Sequence, residues 1–160
     1  FRNWANDPQV TKYLSWEPHK DVEETKQILE GWIKSYESKD FYTWAIARKE
    51  DEGNVIGSIS VPQLNQKAGR VTVGYCLGRN WWGHKIMKEA FAELIRFFFE
   101  VEGSNRVEAL HDTRNVNSGK VMAACGLKKE GTLRRYGWNN QGICDECIYG
   151  MVASDYFEGK

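Results

Sequence analysis

The sequence lacks most of what marks specialised protein classes. Its 160 residues carry 22 Lys plus Arg against 22 Asp plus Glu, so the formal net charge is zero. That balance argues against a uniformly basic nucleic-acid-binding domain, and no nucleic-acid partner is expected. Cysteine is sparse: Cys76, Cys125, Cys144 and Cys147 fall inside expected strands and helices. A disulfide framework belongs to short, Cys-dense secreted chains. These four therefore read as reduced thiols, and the protein as cytoplasmic. Cys144-x-x-Cys147 is half of a zinc pattern, but no second Cys/His pair at ligand spacing accompanies it, so no metal is expected. No apolar run reaches the roughly 18 residues of a membrane helix. The densest cluster, Phe97 to Phe99, is preceded by Lys88, Glu89, Glu93 and Arg96. Neither a membrane span nor a signal peptide is expected. Repeats, low-complexity segments and linkers are absent as well.

What is present describes a folded domain. Hydrophobic residues make up 41% and aromatics 13%, too much for a disordered chain. The length fits one domain over residues 1–160, and a domain of that size buries roughly 70% of its extended-chain surface. Asp7-Pro8 is a helix cap with Pro at the first helical position, leading into residues 9–14. Asp21 caps a longer helix, with Glu24 completing a capping-box variant. Ile28, Leu29, Trp32, Ile33 and Tyr36 recur there at helical spacing and make one apolar face. The period then changes. Residues 41–49, 55–64 and 69–77 read as a three-stranded antiparallel meander. Residues 85–101 place Ile86, Ala90, Leu94 and Phe97 beside Met87, Phe91, Ile95 and Phe98 on one helical face. A strand over 105–111 and a short helix over 117–125 follow, with Gly126 at the stop position. Residues 127–136 and 143–152 form the closing hairpin. The order predicts a mixed α/β layer fold.

The informative stretch runs from Gly74 to Met87, where a strand ends and a long amphipathic helix begins. A Gly-rich turn there aims backbone N–H groups outward at the positive end of the helix dipole, which suits a phosphate. No G-x-x-x-x-G-K-[ST] occurs, so a Walker A loop is ruled out. Gly83 lacks the flanking glycines of a dinucleotide fingerprint.

Read as an ordered set, the segments resemble the GNAT superfamily of acetyl-CoA-dependent N-acetyltransferases, of the ribosomal-protein-alanine type. Gly74-Tyr75-Cys76-Leu77-Gly78 resembles the strand before its pyrophosphate loop. Trp82 to Ala90 resembles the start of the following helix, and Asn105 to Ala109 the next strand. Asn115 to Met122 with Cys125-Gly126-Leu127 resembles the second CoA-side helix, and Glu130-Gly131 with Leu133-Arg134 the strand after it. The resemblance covers about residues 1–155. It implies a single α/β (α+β layered) domain with a central mixed, mostly antiparallel, splayed sheet flanked by helices. The family usually begins with a strand before the first helix, and that strand is expected to be absent here.

The resemblance also implies roles. Cys76, Leu77, Trp82, Gly83, His84, Lys85, Ile86, Met87, Asn117 and Lys120 would contact acetyl-CoA. Ser118 falls where the family's enzymes donate a proton to the CoA sulfur, although helix capping is its other reading. The family's general base is a Glu where this chain has Gly137, so that role does not carry over. Glu17, His111 and Glu146 are the candidate bases in its place. Trp16, Glu17 and His19, with Tyr136 and Trp138, would shape the acceptor pocket. Asn80 stands for the Gln or Arg that opens the family's loop motif. Lys85 replaces its second small residue, adding both bulk and positive charge. The expected reaction moves an acetyl group from acetyl-CoA to a primary amine by direct transfer. The acceptor is read as a protein N-terminus first and a polyamine or antibiotic amine second. A CoA-binding sensor with little turnover is the alternative from another class. Acetyl-CoA and the amine are the expected partners, and the chain reads as a monomer or homodimer.

Overall fold

The computed structural model describes residues 4–159. Helix α1 (Pro8–Thr11) is a single turn: the Asp7 side chain accepts from the Gln9 N–H as expected, but the helix stops short of residue 14. Helix α2 (Val22–Ser35) starts where Asp21 accepts from the Glu24 N–H, while Glu24 Oε2 accepts from the Lys20 N–H. Strands β1 (Thr43–Ile46), β2 (Gly57–Asn65) and β3 (Arg70–Leu77) form the antiparallel meander. A 3-10 turn (Arg79–Trp81) leads to α3 (Ile86–Glu100), then β4 (Arg106–Asp112) and α4 (Val116–Ala124). Strands β5 (Lys128–Asn139) and β6 (Gly142–Val152) make the hairpin, and α5 (Ala153–Glu158) ends the described chain. β1 is shorter than the sequence suggests, because Arg48 and Asp51 pair across a tight turn beyond it. β5 is longer, and α5 has no counterpart among the sequence expectations.

The six strands lie in the order β1-β2-β3-β4-β6-β5. Every neighbour is antiparallel except β3 and β4. That parallel pair needs a crossover connection, and α3 provides it. α3 buries Met87, Phe91, Leu94, Ile95, Phe98 and Phe99 against Val71, Val73, Val107 and Ala109 of the sheet. Burying one such side chain contributes about 1.5–3 kcal/mol, so this interface dominates the core. α4 packs beside α3, and its Gly119 lies against β4: a Cβ there would come within 2.6 Å of His111 Nε2. The apolar face read in α2 exists, but none of its residues is buried and Ile33 is 68% exposed. Among the described residues no helix is long and apolar enough to cross a membrane.

Candidate active site

The parallel pairing of β3 and β4 begins at Arg70 with Arg106 and stops at Val73 with Ala109. Both strands continue, β3 to Leu77 and β4 to Asp112, so they part into a wedge. A cleft of about 760 Å³ opens at that wedge. The Gly78 N–H donates to Ile56 O across the β2 side at 2.7 Å. Backbone groups alternate sides along a strand, so the Leu77 amide faces the opposite side, where β4 has peeled away. The Trp82 indole donates to the Leu77 carbonyl at 2.7 Å and anchors the turn to the end of β3.

The turn from β3 to α3 borders the cleft. Gly83 has φ +80, and a Cβ there would meet no atom within 4 Å, so the need for glycine is conformational. Lys85 also adopts the left-handed region, with φ 64 and ψ 5. A glycine would sit there without cost, whereas a side-chain-bearing residue loses about 1–2 kcal/mol. No side chain caps α3. Its first-turn N–H groups, from Ile86 onward, are those that a helix leaves without internal partners. His84 Nδ1 donates to Trp82 O at 2.9 Å and braces the turn from its outer side. Arg79 pairs with Asp7 at 3.2 Å, tying the turn to the start of α1.

Of the residues expected to meet acetyl-CoA, Cys76, Leu77, Trp82, Gly83, Lys85, Ile86, Met87, Asn117 and Lys120 all line this cleft, and Ser118 lines it with them. His84 is exposed and does not. Nothing in the sequence pattern pointed to the partner of Ser118. The Tyr75 hydroxyl lies 2.9 Å from Ser118 Oγ and 3.0 Å from Ser118 O, bridging β3 to α4. Burial pushes the Tyr75 phenol well above its ordinary range, so it is a neutral hydrogen-bonding group. The Cys76 thiol is pushed up to about 12 by burial.

The N-terminal segment borders the cleft through Gln9, Val10, Lys12, Tyr13 and Leu14, and the β5–β6 hairpin lies behind it. Trp16 and His19 pack ring to ring at 5.1 Å, and His19 Nδ1 meets Thr25 Oγ1 at 2.8 Å. One residue fastens this segment to the hairpin turn. Asn140 Nδ2 donates to Thr11 O at 2.9 Å and to Trp16 O at 2.8 Å, and the Asn140 N–H donates to Leu14 O at 3.2 Å. Tyr13 and Leu14 reach the cleft, as does Arg114. Trp16, Glu17 and His19 do not line it, and Glu17 is exposed. Tyr136 and Trp138 are 62% and 59% exposed and lie outside the cleft lining as well.

The candidate bases occupy different surroundings. His111 is buried under α4. Its Nδ1 donates to Asp112 O at 2.7 Å, and Nε2, facing Gly119, has no hydrogen-bond partner among the described residues. Glu146 is half-buried on β6 directly across from Asp112 of β4. The Asp112 carboxylate is held by Arg114 at 2.6 Å and by Asn139 Nδ2 at 2.8 Å. The Arg114 guanidinium, ahead of Asn139, holds the Asp112 carboxyl well below the usual range. Burial, followed by the Asp112 charge, pushes the Glu146 carboxyl up. No group of three or more His, Cys, Asp or Glu among the described residues could hold a metal ion.

Comparison with known proteins agrees with the fold. A family model described as an acetyltransferase (GNAT) domain matches residues 1–128. An N-acetyltransferase of Bacillus licheniformis, p20, is 32% identical over 154 residues, 96% of this chain and 85% of that protein. The ribosomal protein uS5-alanine N-acetyltransferase of Escherichia coli is 24% identical over 152 residues, covering 91% of this chain and 77% of its own length. The structure of the ribosomal-protein-S5-alanine acetyltransferase from Vibrio fischeri superposes with a TM-score of 0.77 at 25% identity, over 96% of this chain and 88% of that one.

Proposed function

Because the chain belongs to the GNAT acetyltransferase family, we propose that it moves the acetyl group of acetyl-CoA directly onto the α-amine of a protein or peptide N-terminus. That it is an acetyl-CoA-dependent N-acyltransferase follows from the family. The acceptor and the residue roles are our reading. The observation that carries the reading is the wedge between β3 and β4, with the uncapped end of α3 at one side and Ser118 at another.

The pyrophosphate binds at the α3 N-terminus, where free N–H groups and the helix dipole favour an anion. Lys85 adds a cation on the same wall. The thioester carbonyl lies against the Leu77 N–H, which polarises it as charge develops on oxygen. The amine nitrogen attacks the carbonyl carbon and the C–S bond breaks. The leaving sulfur takes a proton from Ser118, and Ser118 regains one from the acylated nitrogen, so the proton shed by the amine ends on the thiol. Tyr75 supports this role: when its hydroxyl donates to Ser118 Oγ, the Ser118 proton is free for the sulfur. An acyl-cysteine route through Cys76 is disfavoured. Burial pushes its thiol up to about 12, which keeps it in the unreactive protonated form at neutral pH. The N-terminal acceptor is favoured by the likeness to the uS5-alanine enzymes.

The test follows free thiol on mixing the protein with acetyl-CoA and a panel of amines. Release with peptides bearing an N-terminal alanine supports the reading. Release with polyamines alone would replace the acceptor class. Saturable CoA binding without any release would make the protein a sensor, and no binding would overturn both. Ser118→Ala should slow turnover about 10²-fold or more while leaving acetyl-CoA affinity unchanged. An unaltered rate would remove Ser118 from the mechanism.

A further inference from the structure

Strand β5 makes an unusual excursion beside the site. Leu133 pairs with Glu146 and Gly137 pairs with Cys144, so four steps along β5 oppose two along β6. Arg135 turns through the left-handed region at this bulge, with φ 52, and its N–H donates to the Asp145 carboxylate at 2.7 Å. Bulges of this kind re-aim side chains and gather beside active sites. Here the bulge brings Gly137 under the Glu146 side chain. A Cβ at position 137 would lie 2.3 Å from Glu146 Oε1, 2.5 Å from Cδ and 2.9 Å from Cγ. The carboxylate of β6 therefore fills the space in which a side chain on β5 would begin.

We propose that Glu146 takes the proton from the acceptor ammonium, supplying from β6 the carboxylate that β5 lacks at Gly137. The proposal deepens the acetyl-transfer reading and rests on it. Four observations support it. First, Glu146, Cys144, Asp112 and Asn139 share one face, since Asp112 stands opposite Glu146 and Asn139 bonds both Asp112 and Cys144. Second, that face adjoins the cleft: Glu146 does not itself line it, but Arg114, which grips the facing Asp112, does, together with Tyr13. Third, the two facing carboxylates are treated differently. Asp112 is saturated by Arg114 and Asn139, whereas no donor among the described residues bonds Glu146. Two carboxylates whose surroundings push them apart divide into a fixed anion and a group free to exchange a proton. Fourth, the other candidates are turned away. Glu17 is exposed on the N-terminal segment, and the His111 ring is closed between Asp112 O and Gly119.

The groups facing Glu146 are the Asp112 anion from β4 and the Cys144 thiol from β6, with uncharged Gly137 from β5. Asp112 and burial both hold the Glu146 proton more tightly than an ordinary glutamate would. That raises its basicity toward neutral pH, where a general base works best. In the step itself the ammonium N–H bond breaks and its proton goes to a Glu146 oxygen, directly or through one water. The freed nitrogen lone pair forms the bond to the acetyl carbon.

The experiment measures pH–rate profiles of thiol release with acetyl-CoA and an N-terminal-alanine peptide. Wild type should show an ascending limb in kcat/KM above the ordinary glutamate range of about 4.3. Glu146→Gln should lower kcat by about 10²-fold or more, flatten that limb, and leave acetyl-CoA Kd and the melting temperature close to wild type. Gly137→Ala should depress kcat at least about 10-fold, because its methyl group displaces the carboxylate. The double variant G137E/E146A should recover much of the rate by returning the carboxylate to β5. A Glu146→Gln enzyme with wild-type kcat and an intact limb overturns the proposal, as does an unperturbed Gly137→Ala. Wild type that binds acetyl-CoA but releases no thiol would instead defeat the acetyl-transfer reading itself, and the role of Glu146 with it.

Discussion

Helices α2 and α3 are nearly equal in length, at 14 and 15 residues, and both carry apolar side chains at helical spacing. α3 buries six of its residues, and α2 buries none. The difference lies in how the chain enters and leaves them. α3 joins two neighbouring parallel strands, and such a crossover is forced back onto the sheet. α2 joins a loop to β1, the strand at the sheet's edge, and no such constraint presses it down. An amphipathic pattern says which face is apolar. The connections say whether the described chain covers it. The same contrast divides the cleft: one side is built on the buried helix α3, the other on the N-terminal segment around the short α1.

Four substitutions probe that contrast. The largest effect belongs to Phe91→Ala. Phe91 is fully buried at the centre of α3, and truncation should cost about 3–5 kcal/mol, a large share of a domain stability of about 5–15 kcal/mol. Denaturant melts read it directly, and a loss below about 1 kcal/mol would show that α3 is no better seated than α2. Gly119→Ala comes next. Its methyl would press on His111 Nε2, and overpacking of this kind costs about 1–3 kcal/mol, partly offset by alanine's better helix propensity. A stabilised variant would mean that α4 is not held as close to β4 as the structure places it.

Lys85→Gly should have a smaller and two-sided effect. Relief of the left-handed conformation and the added freedom of the unfolded chain nearly cancel, leaving a gain of about 0.5 kcal/mol. Loss of the cation should weaken acetyl-CoA binding about 2- to 5-fold and make it less salt-sensitive. Tighter binding would show that Lys85 crowds the phosphate instead of pairing with it. Smallest of all is Ile33→Ala on the open face of α2, with a shift under about 0.5 kcal/mol. A loss comparable to that of Phe91→Ala would erase the distinction between the two helices.

The segment from Gly74 to Met87 is legible in the sequence because its information is local. Turn glycines, a change of period and an amphipathic run all lie within one stretch, and the cleft lining follows it closely. The stop at Gly126 is legible for the same reason, and the structure gives that glycine φ +89. The Tyr75–Ser118 bridge, the Asn140 bonds and the approach of Glu146 to Gly137 are not. Each joins residues distant in sequence or across a strand pair, and the last depends on a bulge that moves the register by two residues. Gly137 alone reads as a missing base. Only the bulge reveals that the gap is filled from the next strand. The exposure of the apolar face of α2 is equally hidden, because periodicity carries no information about what lies opposite.

Asn140 makes one mechanical unit of two stretches of chain. Its side chain and its backbone together hold Thr11, Leu14 and Trp16. Opening the N-terminal segment away from the hairpin must break all of these bonds at once. Protection of amides in the N-terminal segment should therefore fall when Asn140 is replaced by Ala, as hydrogen exchange would read. The N-terminal segment is thus latched to the hairpin turn through Asn140.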